Sequence, residues 1–379
     1  MLGQTPPMGW NSWNTFGTDI QETLILEIAD AMVEKGYKDA GYEYVVIDDG
    51  WQLRERGSRG ELLADPEKFP RGIKYVADYV HSKGLKFGIY SAAGVRTCAG
   101  FPGSYGHEYE DARLFASWGV DYLKYDKCHF AGSSDPKNAY VTMSMALRST
   151  GRPIMHSLCI VGENDPHSWA RSAGAHLYRS TGDICDSSES FRSIFTSQYD
   201  KFHTSAPGCF NDIDMLIVGL GGNGNVARPG GCTRDAYKMH FVLWCLWGAP
   251  LMIGADIRNL DTYYRDLLTN RELIRINQDP ACRPPYCDER QRYHATHARL
   301  ACMKMLDKGE LVLGLFNYWD DEELEVLAYF DDFGIPSGRG IGLKLTDIFT
   351  GETFTKFDFY TPRLPPMTCK VYKAEIVQR

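Results

Sequence analysis

Carboxylates recur at one kind of place in this chain, the end of a short apolar run. Asp48 and Asp49 close VVIDDGW, Asp126 closes VDYLKYD, Asp183 closes RSTGD, and Asp212 and Asp214 sit in CFNDIDML. A single Asp in such a place is commonly a helix N-cap, accepting a hydrogen bond from a free backbone N–H. Four runs that each deliver a carboxylate are better explained as one cluster for catalysis or ligand binding. In VDYLKYD, Tyr122, Lys124 and Asp126 fall at i, i+2 and i+4 and share one strand face. Lys124 is expected to keep Asp126 ionised, as an opposite charge within about 4–6 Å does. Such a carboxylate suits a nucleophile or an electrostatic stabiliser, and the plain alternative is a structural ion pair. Asp183 is the complementary group, a carboxylic acid able to donate a proton. Arg179, four residues earlier, opposes the raised pKa that role needs unless burial or a second carboxylate outweighs it. Two carboxylates in unlike environments are the minimum equipment for glycoside hydrolysis.

Tryptophan extends this pattern. Trp10, Trp13 and Trp51 stand beside the first two runs, where an indole face can pack on the apolar face of a sugar ring. Two other motifs carry less. GLGGNG (219–224) has the glycine spacing of a dinucleotide loop, but NVARPGG follows it where a helix is required, so that reading fails. HATH (294–297) has no carboxylate or thiolate ligand beside it, and no metal site is expected there.

The elements that must hold these residues alternate. Apolar runs at 8–13, 42–51, 85–92, 120–126, 152–159, 175–183, 209–219 and 249–256 read as eight strands. Between them lie segments of helical period such as ETLILEIADAMVEKG and GIKYVADYVHSKG, each closed by glycine. Strands sealed on both faces and alternating with helices imply a parallel β/α architecture, and eight repeats favour a (β/α)8 barrel. In a barrel, side chains at the C-terminal strand ends line the mouth. After about Asp279 the period changes to two, in GELVLGLFNYW, LEVLAYF and IGLKLTDIFTGETFTKFDFYT. The expected organisation is therefore a catalytic barrel over 1–280 and an antiparallel β-sandwich over 281–379, joined near QDPACRPPYC.

Bulk properties narrow the partners. Apolar residues make up 44% and charged residues 24%, as in folded globular domains, and the net charge is −8. With no Lys/Arg-rich run, neither nucleic acid nor an anionic membrane is an expected partner. No apolar run approaches the roughly 20 residues of a membrane span. MLGQTPPMGW has neither a basic n-region nor an apolar h-region, so the chain reads as cytoplasmic, or as secreted after removal of a signal. Eleven cysteines is an odd count without C-x-x-C pairs, which points to buried thiols acting as small apolar fillers.

PPMGWNSWNTF, VIDDGW, GIYS, TCAGFPGS, VDYLKYDKC, STGD and NDIDML occur in this order. Together they resemble the motifs of glycoside hydrolase family 27, which holds α-galactosidases and α-N-acetylgalactosaminidases. The resemblance covers about residues 5–280, and the tail fits that family's C-terminal β-sandwich. It implies a retaining double displacement with Asp126 as nucleophile and Asp183 as acid/base, and no cofactor. It puts Trp13, Asp48, Asp49, Tyr90, Lys124, Arg179 and Asp214 at sugar-contact positions, and pairs Cys98 with Cys128 in a disulfide. One departure stands out. Where many members read S-L-C-E-W-G, with Glu bonding the sugar 2-hydroxyl, this chain reads SLCIVG. Ile160 makes no such bond, and it is larger than the small residue of the N-acetylgalactosaminidases.

The sequence thus points to a retaining exo-glycosidase acting on oligosaccharides or glycoconjugates with a terminal α-galactose-like sugar. Ile160 leaves α-N-acetylgalactosaminidase and β-L-arabinopyranosidase open as alternatives. From other classes come a sugar-binding protein without catalysis, which has no need of a nucleophile beside Lys124, and a phosphate-handling barrel, whose ligand the acidic rim would repel. GGNGNVARPGG reads as a long mobile loop that shapes either a subsite or a subunit contact in a homo-oligomer.

Overall fold

The computed structural model describes residues 2–130, 135–287, 298–336 and 338–379. Eight strands, β1 (Met8–Asn11), β2 (Tyr44–Val46), β3 (Lys86–Ala92), β4 (Tyr122–Asp126), β5 (Met155–Cys159), β6 (Leu177–Arg179), β7 (Phe210–Asp212) and β8 (Leu251–Ile253), form one sheet. Its spatial order is β7-β6-β5-β4-β3-β2-β1-β8, with parallel pairing throughout. Closure comes just past β7, where Leu216 N donates to Met252 O (2.8 Å) and Leu216 O accepts from Gly254 N (2.9 Å). The eight expected strands are all present, each shorter than its apolar run: β3, β4 and β5 start late, and in the other five the run continues into the loop at the barrel mouth.

Strand alternation divides the side chains. Leu123, Tyr125, Leu158 and Ile160 point outward into the large core shared with the helices. Tyr44, Val46, Tyr122, Leu177 and Phe210 fill the lower lumen as a separate apolar cluster. Two glycines make room for these side chains: a Cβ at Gly9 would lie 2.7 Å from the Tyr44 Cβ, and one at Gly88 2.7 Å from a Val46 methyl. Above this plug the lumen turns polar, with Asn11, Lys124, Ser157, Arg179 and Asp212 around it. Lys124 and Asp126 thus belong to the inward face of a strand whose other face is sealed.

The tail is a six-stranded antiparallel sheet containing strands 299–305, 311–317, 341–347, 353–357 and 368–378. Strand Thr368–Gln378 lies inside this sheet, paired to both 311–317 and 341–347. One face packs Leu313, Leu315, Leu343 and Leu345 against Val326, Ala328 and Phe330. The second layer of the sandwich is therefore small, two ladders of two strands each. The other face presents Val312, Phe316, Cys369 and Val371 to the barrel core. There it meets helix Arg234–Trp247, in which every residue from Met239 to Trp247 is buried, as expected of a helix covered on both sides. The HATH segment lies outside the described residues. Among those described, no helix is long and apolar enough to cross a membrane.

Candidate active site

The strand ends converge on a cavity with about 480 Å3 of empty space, lined among others by Trp13, Asp48, Tyr90, Lys124, Asp126, Arg179, Asp183 and Asp214. Its β2–β4 side is tightly bonded. Asp48 Oδ2 accepts from Lys124 Nζ (2.7 Å) and Asn11 Nδ2 (2.9 Å), and Asp48 Oδ1 accepts from Asp49 N (3.0 Å). Asp126 accepts from the Tyr90 hydroxyl (3.1 Å) and, through Oδ1, from Lys127 N (2.7 Å). Lys124 also stands 5.4 Å over the Tyr90 ring. A disulfide joins Cys98 to Cys128, so the loop after β3 is tied beside Asp126.

The β6–β7 side is built around one guanidinium. Arg179 Nη2 donates to Asp183 Oδ1 (2.8 Å) and pairs with Asp214 Oδ2 (2.7 Å). Asp214 is buried and held at φ 81°, a backbone conformation costly for a residue with a side chain. Its carboxylate also accepts from Ile184 N and Met215 N, each at 2.7 Å. Asp183 is different, with a side chain 70% exposed.

These surroundings set the proton affinities. Burial pushes the Asp126 carboxyl pKa up, against the opposing influence of Lys124, the Lys127 N–H and the Tyr90 hydroxyl. For Asp183, partial burial acts upward, but Arg179 and Lys124 outweigh it and the pKa falls below the ordinary carboxylate range. Burial raises Asp214 to about 6 against the pull of Arg179, and raises Asp49 to about 6 against the Ala99 N–H. Burial also disfavours the charge on Lys124, yet Asp48 and Asp126 prevail and hold it above its ordinary value. Lys124 does lower the basicity of Asp126, as expected, but burial outweighs it. The ammonium bonds directly to Asp48, and desolvation dominates at Asp126.

The other candidate residues fall in several places. Trp10 and Trp51 are fully buried, with indole N–H groups bonded to Ala255 O (2.8 Å) and Tyr90 O (2.9 Å), so only Trp13 faces the cavity. Asp49 is not among the lining residues; it accepts from Ala99 N (2.8 Å) and ties β2 to the loop after β3. Ile160 is fully buried in the hydrophobic core, because alternation along β5 turns Ser157 and Cys159 inward and Leu158 and Ile160 outward.

The loop 219–231 is pinned. Val226 N donates to Asn14 O (3.2 Å), Val226 O accepts from Asp186 N (3.0 Å), and Gly222 N donates to Asp186 Oδ2 (2.7 Å). Val226 thereby joins the cavity wall with Asn14, Cys159, Ile184 and Met215, none of which the motif reading singled out. Extending the i, i+2 alternation from Ser157 would have found Cys159. Val226 depends on a loop path that no local pattern specifies.

The family model described as Alpha galactosidase A (Melibiase_2) matches residues 5–279. An alpha-galactosidase of Cyamopsis tetragonoloba is 51% identical over 279 residues, which is 73% of this chain and 65% of that protein's length. Among solved structures, alpha-galactosidase I from Mortierella vinacea superimposes with a TM-score of 0.90 at 33% identity, covering 98% of this chain and 97% of that one. The Saccharomyces cerevisiae alpha-galactosidase with raffinose gives a TM-score of 0.86 at 28% identity, covering 99% and 98%.

Proposed function

This chain belongs to the family described as Alpha galactosidase A, and from that premise we propose that it is a retaining exo-glycosidase releasing terminal α-galactosyl residues. The observation that carries the reading is that Asp126 and Asp183, from two strand ends, border one cavity lined by groups able to bond sugar hydroxyls. The relative crystallised with raffinose supports an oligosaccharide bearing such a terminal sugar as the substrate class.

Asp126 attacks the anomeric carbon while Asp183 protonates the departing glycosidic oxygen. The galactosyl ester on Asp126 is then hydrolysed by a water from which Asp183 removes a proton, so the α configuration is kept. Asp48, Lys124, Arg179 and Asp214 fix the ring through its hydroxyls, and Trp13 offers an apolar face. The two carboxyl pKa directions run against these roles, with Asp126 up and Asp183 down. Substrate corrects this at Asp183: a leaving group laid over its exposed side chain removes water, and desolvation favours the protonated acid.

The test compares kcat/KM on nitrophenyl α-galactoside, α-N-acetylgalactosaminide and β-L-arabinopyranoside, and follows the first-formed sugar by NMR. The α-galactoside should be preferred and α-galactose should appear first. Preference for another glycone would assign the specificity to the wall of Cys159, Ile184, Met215 and Val226. Initial release of the β anomer would overturn double displacement.

A further inference from the structure

Asp183 borders a second space besides the cavity. A groove opens on its outer side. Helix Ser188–Gln198 supplies one wall through Ser190, Ser193 and Ser197, and Val161 and Thr181 contribute to the other walls. On the opposite flank of the same helix lies a further groove with about 910 Å3 of empty space, lined by Thr196 and by Trp319 and Asp321 of the C-terminal sheet domain. The two grooves share Glu189 and Ser193, so they meet across the helix crest. The far groove is braced, since Arg192 Nη1 donates to Tyr318 O (2.7 Å) and pairs with Asp320 (3.0 Å).

We propose that the two grooves form one track for the leaving-group chain of a long α-galactoside, with Trp319 as its distal sugar platform. The proposal rests on the reading of Asp183 as the acid. An acid that protonates the glycosidic oxygen stands on the leaving-group side of the bond, so the chain attached to that oxygen departs past Asp183 and into the adjoining groove. Serine and threonine hydroxyls both donate and accept, which matches the hydroxyls of a neutral saccharide. Glu189 and Asp321 add acceptors, and Arg228 and Arg192 in the same walls add donors for further hydroxyls. An indole provides apolar area with a polar edge, suited to the apolar face of a pyranose. The C-terminal domain thus acquires a binding role in addition to covering helix Arg234–Trp247.

The experiment measures kcat/KM on an α-galactosyl-branched mannan and on nitrophenyl α-galactoside for the wild type, Trp319→Ala and Ser193→Trp. Titration calorimetry with an unbranched mannan oligosaccharide accompanies it. Both variants should lower the ratio of polymer to nitrophenyl kcat/KM by about fivefold or more, through KM, as truncation of an anchoring aromatic does. Ser193 is exposed, so its replacement obstructs the crest without disturbing the core. Ratios unchanged in both variants, with no Trp319-dependent binding of the oligosaccharide, overturn the track. A wild type that binds the oligosaccharide through Trp319 yet cleaves neither glycoside would leave the track standing and sink the galactosidase reading instead.

Discussion

The two halves of the active-site cavity are built on opposite plans. On the β2–β4 side every charged group is buried or nearly so and bonded to protein, with Lys124, Asp48 and Tyr90 forming a fixed frame for Asp126. On the β6 side Asp183 hangs from Arg179 with most of its side chain in water. A nucleophile needs an unvarying position, since a small misplacement of reacting atoms is expensive. An acid/base must change protonation state within each cycle and face leaving groups of different shape. On the proposed mechanism the closed side is preorganised by protein, whereas the open side is completed by substrate.

The most severe way to break that contrast is to remove the nucleophile proposed for the closed side. Asp126→Ala should lower kcat by at least about 10⁴-fold, as loss of a covalent nucleophile does. Azide should restore part of the turnover as the β-galactosyl azide, because it attacks from the vacated face. Wild-type-like activity in this variant would refute the assignment. Removing the open side should do less, and unevenly. Asp183→Ala should cost about 10²–10⁴-fold on a sugar leaving group, the usual worth of general acid catalysis. On nitrophenyl galactoside, whose leaving group needs little protonation, the loss should be distinctly smaller. Equal losses of kcat/KM, which reports only the step that expels the leaving group, would show that Asp183 is not the proton donor.

A milder probe leaves both groups in place and varies pH. The alkaline limb of kcat/KM reports the free enzyme and that of kcat the substrate complex. Arg179 holds Asp183 below the ordinary carboxylate range, and on the proposed mechanism a bound leaving group takes its exposed side chain out of water. The alkaline limb of kcat should therefore lie at higher pH than that of kcat/KM. Coincident limbs would mean that substrate does not complete the open side.

How far these two plans could be read from the chain differs in the same way. The closed side was legible because it follows strand periodicity: Tyr122, Lys124 and Asp126 at alternate positions must share a face, and eight apolar runs must close a barrel. The same rule, carried one step along β5, turns Ile160 outward and Cys159 inward. Trp10 and Trp51 mislead because a strand-end indole sits equally well in the core, and only its N–H partner tells which. The sign at Asp126 was beyond reach, since it depends on how desolvation balances a cation that bonds elsewhere. Val226 enters the cavity by way of Asp186, a contact across 40 positions that no local pattern encodes. Strand Thr368–Gln378 alternates plainly, yet its place inside the sheet depends on long-range pairing.

The smallest expected effect concerns what the closed side costs the fold. Asp49 is buried, accepts only part of its hydrogen-bonding capacity from Ala99 N, and has its pKa raised to about 6. A carboxyl whose folded pKa exceeds its unfolded value of about 3.9 binds its proton more tightly in the native state. Between those two values the native protein holds more protons than the unfolded chain, so stability falls as pH rises from about 4 to about 6. Above that window the full penalty is present, about 3 kcal/mol for a shift of this size. Asp49→Asn keeps an oxygen for the Ala99 N–H and removes the charge. It should therefore raise the thermal midpoint at pH 7 and flatten its decline between pH 4 and 6, leaving stability near pH 4 almost unchanged. Arg179 and Asp183 provide the contrast, because Asp183→Asn removes a carboxylate whose pKa is lowered and should weaken the fold at pH 7. If both substitutions shift the midpoint in the same direction, the two sides do not differ electrostatically in the way the geometry requires.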